Sequence, residues 1–309
     1  MRSGVNKVRD WIQSLLAKFG YRLRLESLNN VYPEDVRKGS NDPRALSYHS
    51  VAQPVLIEAP LYRGYGLDWF RLTPWSAHPF ICAIRRAKST DTPDLALQAT
   101  LSTYYSEVCP RSASEILDLS PGVAPELDKN PPWARVFPWD SASVSKRRQT
   151  IKEAAKIDTK EYGKSLDIDH GWKAIGPASK QLINVEYRRL KRLWISMQND
   201  GYKRNNEPGG DIRATVLMSD ERPWTWHVDW GGQHRAAVAA ALGIETVPVR
   251  IWRVVRLSDI DIWPNVERGL FSENHARRLF RLITSEDEFP RIIEDWVQKS
   301  QDRPQHTTD

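Results

Sequence analysis

Asp229-Trp230-Gly231-Gly232-Gln233-His234-Arg235 places, in seven consecutive residues, the groups that hold phosphate. Two glycines let the backbone approach an anion closely. A helix that starts directly after them offers the unpaired N–H groups of its first turn at its positive end. Arg235 can add a two-pronged guanidinium contact. The same spacing also serves ordinary strand-to-helix turns that carry no ligand, so the flanking elements must decide how the turn is presented.

Those elements are legible on both sides. Ile212 to Met218 reads as a strand, Ser219 to Pro223 as a turn, and Trp224 to Val228 as a second strand. After the glycines comes an alanine-rich helix that Gly243 ends, and Thr246 to Ile251 returns as a strand. Upstream, Tyr187, Leu190, Trp194 and Met197 mark one face of a helix that should stop at Gly201. Ile292, Ile293, Trp296 and Val297 mark another near the C-terminus.

The N-terminal half is less orderly. Val8, Trp11, Ile12, Leu15, Leu16 and Phe19 repeat at helical spacing across residues 5–20, with Arg22 and Arg24 following. That amphipathic basic helix suits either an anionic membrane surface or docking on its own domain. Residues 28–60 read as loop, and residues 61–140 are rich in aromatics, with a helix expected from Pro93 to Tyr105. The aromatics around His78 fit a second core or a sugar-stacking surface. Residues 141–160 read as a basic helix or linker. The expected division is thus 1–24, 25–140, 141–165, 166–285 and 286–309.

Composition narrows the classes. No run of about 18 apolar residues is present to span a bilayer, and no secretory signal opens the chain, so a cytoplasmic location is expected, with peripheral attachment through the first helix as an addition. Two cysteines, Cys82 and Cys109, lack the spacing of a zinc site or a disulfide framework and read as core thiols. A net charge of +6 fits anionic partners without choosing among them.

Gly232-Gln233-His234-Arg235 through Gly243, followed by Ile244 to Val249, is similar to the ParB pattern Gly-Glu-Arg-Arg, seven residues, Gly, then a strand containing Ile-Pro-Val. The turn also resembles sulfiredoxin's Phe-Gly-Gly-Cys-His-Arg, with Trp230 for Phe and Gln233 in the place of the catalytic cysteine. The resemblance covers residues 171–285. It implies an α+β chain with a ParB/sulfiredoxin-like mixed α/β domain in the C-terminal half, and a nucleotide held by Gly231, Gly232, Gln233, His234 and Arg235. Asn265-Val266-Glu267-Arg268 looks like ParB's Glu-Asn-Ile-Gln-Arg, which adds Asn265 and Arg268 as nucleotide ligands; Pro264 stands where that segment has its Glu. Residues Leu15 to Leu23 further resemble the opening of proteins from bacterial surface-glycan gene clusters.

A carboxamide cannot replace the attacking thiolate, so Gln233 excludes sulfinic-acid repair. The 25 or so residues after position 284 leave too little chain for ParB's DNA-binding and dimerisation modules. The resemblance then implies a phosphotransferase or NTPase using ATP or CTP with Mg2+, acting on a small-molecule or sugar acceptor. Candidates for the general base are Asp229, Glu186 and Asp169; each also has a bland role, as turn cap, exposed helix residue and solvated acid respectively. Two other readings stay open: a non-catalytic nucleotide-gated scaffold in surface-glycan assembly, and a ParB-like nucleic-acid-binding protein or nuclease. No helix-turn-helix is recognisable to support the last.

Overall fold

The computed structural model describes residues 32–49, 53–159, 165–204, 210–229 and 231–301. The amphipathic stretch at 5–20 and Trp230 lie outside them. Seven strands form one mixed sheet: β1 (Glu34–Asp35), β2 (Val55–Pro60), β3 (Gly64–Gly66), β4 (Phe70–Arg71), β5 (Ile212–Met218), β6 (Thr225–Val228) and β7 (Thr246–Arg256), in the order β1-β2-β7-β5-β6-β3-β4. Around it pack helices α1 (Pro79–Lys88), α2 (Pro93–Glu107), α3 (Val144–Asp158), α4 (Lys180–Asp200), α5 (Gln233–Ala241), α6 (Glu273–Thr284) and α7 (Arg291–Gln301).

The centre of the sheet is β5, antiparallel to β6 and parallel to β7. Its residues Ala214, Val216 and Leu217 are buried, the pattern of a strand covered on both faces. A register shift between Ala214 and Thr215 sets Thr215 opposite Arg253. Thr215 also pairs with His227, and His227 with Tyr65 on β3, so four polar or phenolic side chains lie in one row across the sheet.

Helix α5 is alanine-rich for a packing reason. It lies against α1 and α4, and Ala236, Ala237, Ala239 and Ala240 are all buried. Small side chains let three layers approach closely at native density. Helix α4 ends as expected at Gly201, which takes φ +70°.

The expected boundary at 141–165 does not separate two cores. Strand β2 pairs antiparallel with β7, Ile57 facing Val249, and β3 pairs parallel with β6. Residues read as loop and as a separate aromatic region thereby complete the sheet of the C-terminal half. The hydrophobic core is continuous from Val55 through Phe70, Tyr104 and Trp139 to Ile251 and Trp296. Pairing on both sides satisfies edges that β6 and β7 would otherwise expose. The His78 aromatics belong to this one core: His78 is fully buried and caps α1, its Nδ1 accepting from the Phe80 amide at 3.2 Å. Cys82 is buried in it and Cys109 half-buried. Among the described residues no helix is long and apolar enough to cross a membrane.

Candidate functional site

The glycine turn continues the β5–β6 ladder and then breaks from it. The Asp229 amide donates to the Arg213 carbonyl at 2.9 Å, and the Arg213 amide donates to the Gly231 carbonyl at 3.1 Å. Gly232 then enters the left-handed region at φ +96°, passing so near β5 that a Cβ would stand 2.7 Å from Ile212 Cα. Only glycine satisfies both demands. As the residue capping α5 it has no side-chain oxygen to offer, so the first-turn amides carry no side-chain cap. Gly231 is less constrained: a Cβ there would meet only Arg213 Cδ, at 3.8 Å.

The side chains after Gly232 face inward and brace the turn. Gln233 staples two segments, its Nε2 donating to the Val228 carbonyl at 2.9 Å and its Oε1 accepting from the Leu67 amide at 3.0 Å. His234 stacks on Phe80 with ring centres 4.4 Å apart and sets Nε2 2.8 Å from Glu186 Oε2. Glu186 is fully buried on α4 and also pairs with Arg189 at 2.9 Å. Burial favours its neutral form, but the charge and hydrogen bond of His234, with Arg189, outweigh burial and hold the carboxyl below its usual range. Arg235 donates to the Asp211 carbonyl at 3.0 Å and is half-buried.

Beside the turn lies a polar cavity of about 160 Å³, with Asp140, Arg147, His227, Asp229, Trp252 and Arg253 in its wall. Strand alternation puts His227 and Asp229 on one face, two residues apart. Asp229 Oδ2 accepts from Thr215 Oγ1 at 2.6 Å and from Trp252 Nε1 at 2.7 Å. His227 Nδ1 stands 3.8 Å from the other oxygen of Asp229, and its Nε2 stands 3.3 Å from Asp68 Oδ1. Asp68 is itself ion-paired with the buried Arg135. Burial pushes the Asp229 carboxyl upward, yet His227, the Arg253 charge and the Thr215 hydroxyl prevail and hold it at about 2. Arg253 donates through Nε to Thr215 Oγ1 at 3.1 Å and through Nη1 to Asp140 Oδ1 at 3.0 Å. The indole of Trp252 lies between the Arg253 guanidinium at 5.2 Å and that of Arg213 at 5.8 Å, which links the cavity to the turn.

The residues singled out from sequence therefore divide. Gly231, Gly232, Gln233, His234, Arg235 and Asp229 come together at one place, with Glu186 beneath them. Asn265 sits elsewhere: it is 1 % exposed, its Nδ2 donates to the carbonyls of Phe137 and Asp140, each at 2.9 Å, and its Oδ1 accepts from Arg268 at 3.1 Å. Its carboxamide is spent on shaping the 137–140 segment that walls the cavity, which corrects the expectation that it grips nucleotide directly. Arg268 is exposed and serves this clamp. Asp169 is exposed on the short turn Ile168–His170, and among the described residues no hydrogen bond or ion pair joins it to the glycine turn.

Sequence reasoning overlooked His227, Thr215, Asp140, Arg147, Trp252 and Arg253. The one available signal was the alternation of His227 and Asp229 ahead of the glycines; the others arrive from distant segments through sheet register. Among the described residues no group of three or more His, Cys, Asp or Glu is arranged to hold a metal ion. Comparison with protein-family models, curated proteins and solved structures gave no match.

Proposed function

We propose that the turn at 231–235 and the adjoining cavity receive the terminal phosphoryl group of a nucleoside triphosphate, and that the chain is a ParB-like nucleotide-dependent phosphotransferase or NTPase. The observation that carries this reading is a cavity holding two guanidinium groups, Arg147 and Arg253, and walled by Asp229, three residues ahead of the uncapped helix start at Gly232. Phosphoryl transfer needs mostly positioning and charge stabilisation, which amide N–H groups and arginines supply. A volume of about 160 Å³ suits a phosphoryl group and not a whole nucleotide, so base and ribose lie outside it.

Asp229 is a poor proton acceptor at neutral pH because its carboxyl is held at about 2. Its role in this reading is to orient His227 from the Nδ1 side, leaving Nε2, which makes no hydrogen bond among the described residues, to take the proton of an acceptor hydroxyl. A magnesium ion held by protein carboxylates does not fit: Asp229 Oδ2 already accepts from Thr215 and Trp252 while its Oδ1 faces His227, and both oxygens of Asp140 are engaged, by Arg253 and by the Phe137 amide. No step is assigned to it.

Calorimetric titration with ATP, CTP, GTP and ADP tests the binding. Arg147→Ala and Arg235→Ala should each weaken it by about tenfold or more, the worth of a charge-assisted hydrogen bond. Binding by none of the four, or unchanged binding in both variants, sinks the reading. A nucleotide-gated scaffold is the second reading, favoured by the commitment of both Asp229 and Glu186 to internal partners; binding without release of product selects it.

A further inference from the structure

We propose that a second cleft, at the opposite end of β6, is a binding site for a neutral saccharide. It has a volume of about 560 Å³, within the range of roughly 300–1,000 Å³ common to small-ligand sites. Thr225 lines this cleft, and His227 and Asp229, two and four residues farther along the same strand, line the phosphate cavity. Each can fail without the other.

The cleft presents a flat stack on one side. The Arg63 guanidinium lies 5.1 Å from the Trp224 ring centre and 5.6 Å from that of Tyr62. Trp224 is half-buried, whereas Tyr62 is 54 % exposed and open to a ligand. Opposite stands the 284–288 segment, which is anchored from below: the Tyr65 hydroxyl hydrogen-bonds the carbonyls of Thr284 at 3.2 Å and Ser285 at 3.0 Å. Arg71 ties the two walls together, reaching Glu286 at 2.7 Å and the Tyr62 carbonyl at 2.8 Å. The walls are thus held in place before any ligand arrives, which lowers the ordering cost of binding.

Charge selects the ligand class. Three arginines, Arg63, Arg71 and Arg222, meet three acids, Glu286, Asp287 and Glu288. A balanced lining attracts neither a net anion nor a net cation. It does offer rigid donors and acceptors side by side, which match the paired hydroxyls of a sugar, each both donor and acceptor. The C–H face of a pyranose ring then packs on the aromatic plane.

Saturation-transfer NMR on the full chain with glucose, galactose, mannose, N-acetylglucosamine, cellobiose, lactose and chitobiose tests the proposal. At least one should bind in the millimolar range or tighter, and glucose 6-phosphate and glucuronate should bind no better than glucose. Tyr62→Ala, at an exposed position that folding does not need, should weaken binding by about tenfold. Trp224→Ala should weaken it as much where circular dichroism confirms folding. Failure of every neutral sugar to bind, preference for the charged ones, or unaltered binding in Tyr62→Ala overturns the assignment.

Discussion

His227 Nε2 stands 3.3 Å from Asp68 Oδ1, joining the strand that leads into the glycine turn to the loop between β3 and β4. Asp229 Oδ1 stands 3.8 Å from its other nitrogen, so the imidazole has a carboxylate at each end. His227→Gln keeps the approximate volume but removes the basic nitrogen that would take the proton. Turnover should fall by about a hundredfold or more while nucleotide affinity stays within a few-fold. Single-turnover kinetics beside calorimetry separates the two; equal loss in both would make His227 a binding residue.

The two glycines predict opposite outcomes for the same substitution. Gly232→Ala places a Cβ against the β5 backbone at a left-handed φ and should cost roughly 1–3 kcal/mol. Gly231→Ala meets only the flexible Arg213 side chain and should unfold within about 0.5 kcal/mol of the parent. Urea titration of both variants checks the pair, and similar losses at the two positions would contradict the close approach at Ile212.

The elements around the turn were readable because their signals are local. Ile212 to Met218 was expected as a strand and is β5; Gly201 and Gly243 stop their helices as glycines do when φ must be positive. Strand β2 was not readable. Its six residues include Pro60, follow Pro54, and apart from Glu58 are apolar without alternation because the sheet is covered on both faces there. The cavity was hidden for a related reason: Asp68, Asp140, Thr215, His227 and Arg253 meet through long-range register and a bulge that no local pattern encodes.

Asn265 offers a test of how far the cavity depends on its wall. Asn265→Ala leaves the buried carbonyls of Phe137 and Asp140 without their shared donor, a loss of about 1–3 kcal/mol. Because Asp140 pairs with Arg253, turnover should fall more than stability alone explains. Asn265→Asp should not restore it, since a carboxylate cannot donate to two carbonyls. Rescue by Asp would indicate direct contact with a ligand instead.

The depressed carboxyl of Asp229 makes part of the stability acid-labile. Its ordinary value is 3.8 and its folded value about 2, so the ionised form is favoured in the folded state. That contribution is present above the ordinary value and is lost as pH falls toward about 2. A shift of this size corresponds to roughly 2 kcal/mol. Stability measured by denaturant titration from pH 7 to pH 2 should therefore fall more steeply in the parent than in Asp229→Asn, the curves converging at the acid end. Parallel curves would mean that the folded state does not lower the Asp229 carboxyl below its ordinary value.

Glu186 decides between the two roles that sequence left open for it. As a general base it would face the phosphate; the structure puts it under the helix, fully buried between His234 and Arg189. Glu186→Gln removes the charge that His234 Nε2 meets and one carboxylate partner of Arg189, another being Asp158 at 2.6 Å. Breaking a buried pair by deleting one partner costs about 3–5 kcal/mol, and Asp158 should hold the loss to the lower end of that range. The expected outcome is a variant whose unfolding midpoint drops markedly and whose residual folded fraction binds nucleotide weakly, because His234 no longer fixes the first turn of α5. Activity normalised to folded protein should fall no further than affinity does. A variant that is as stable as the parent, binds nucleotide normally and yet fails to turn over would restore Glu186 to the chemistry and remove His227 from it.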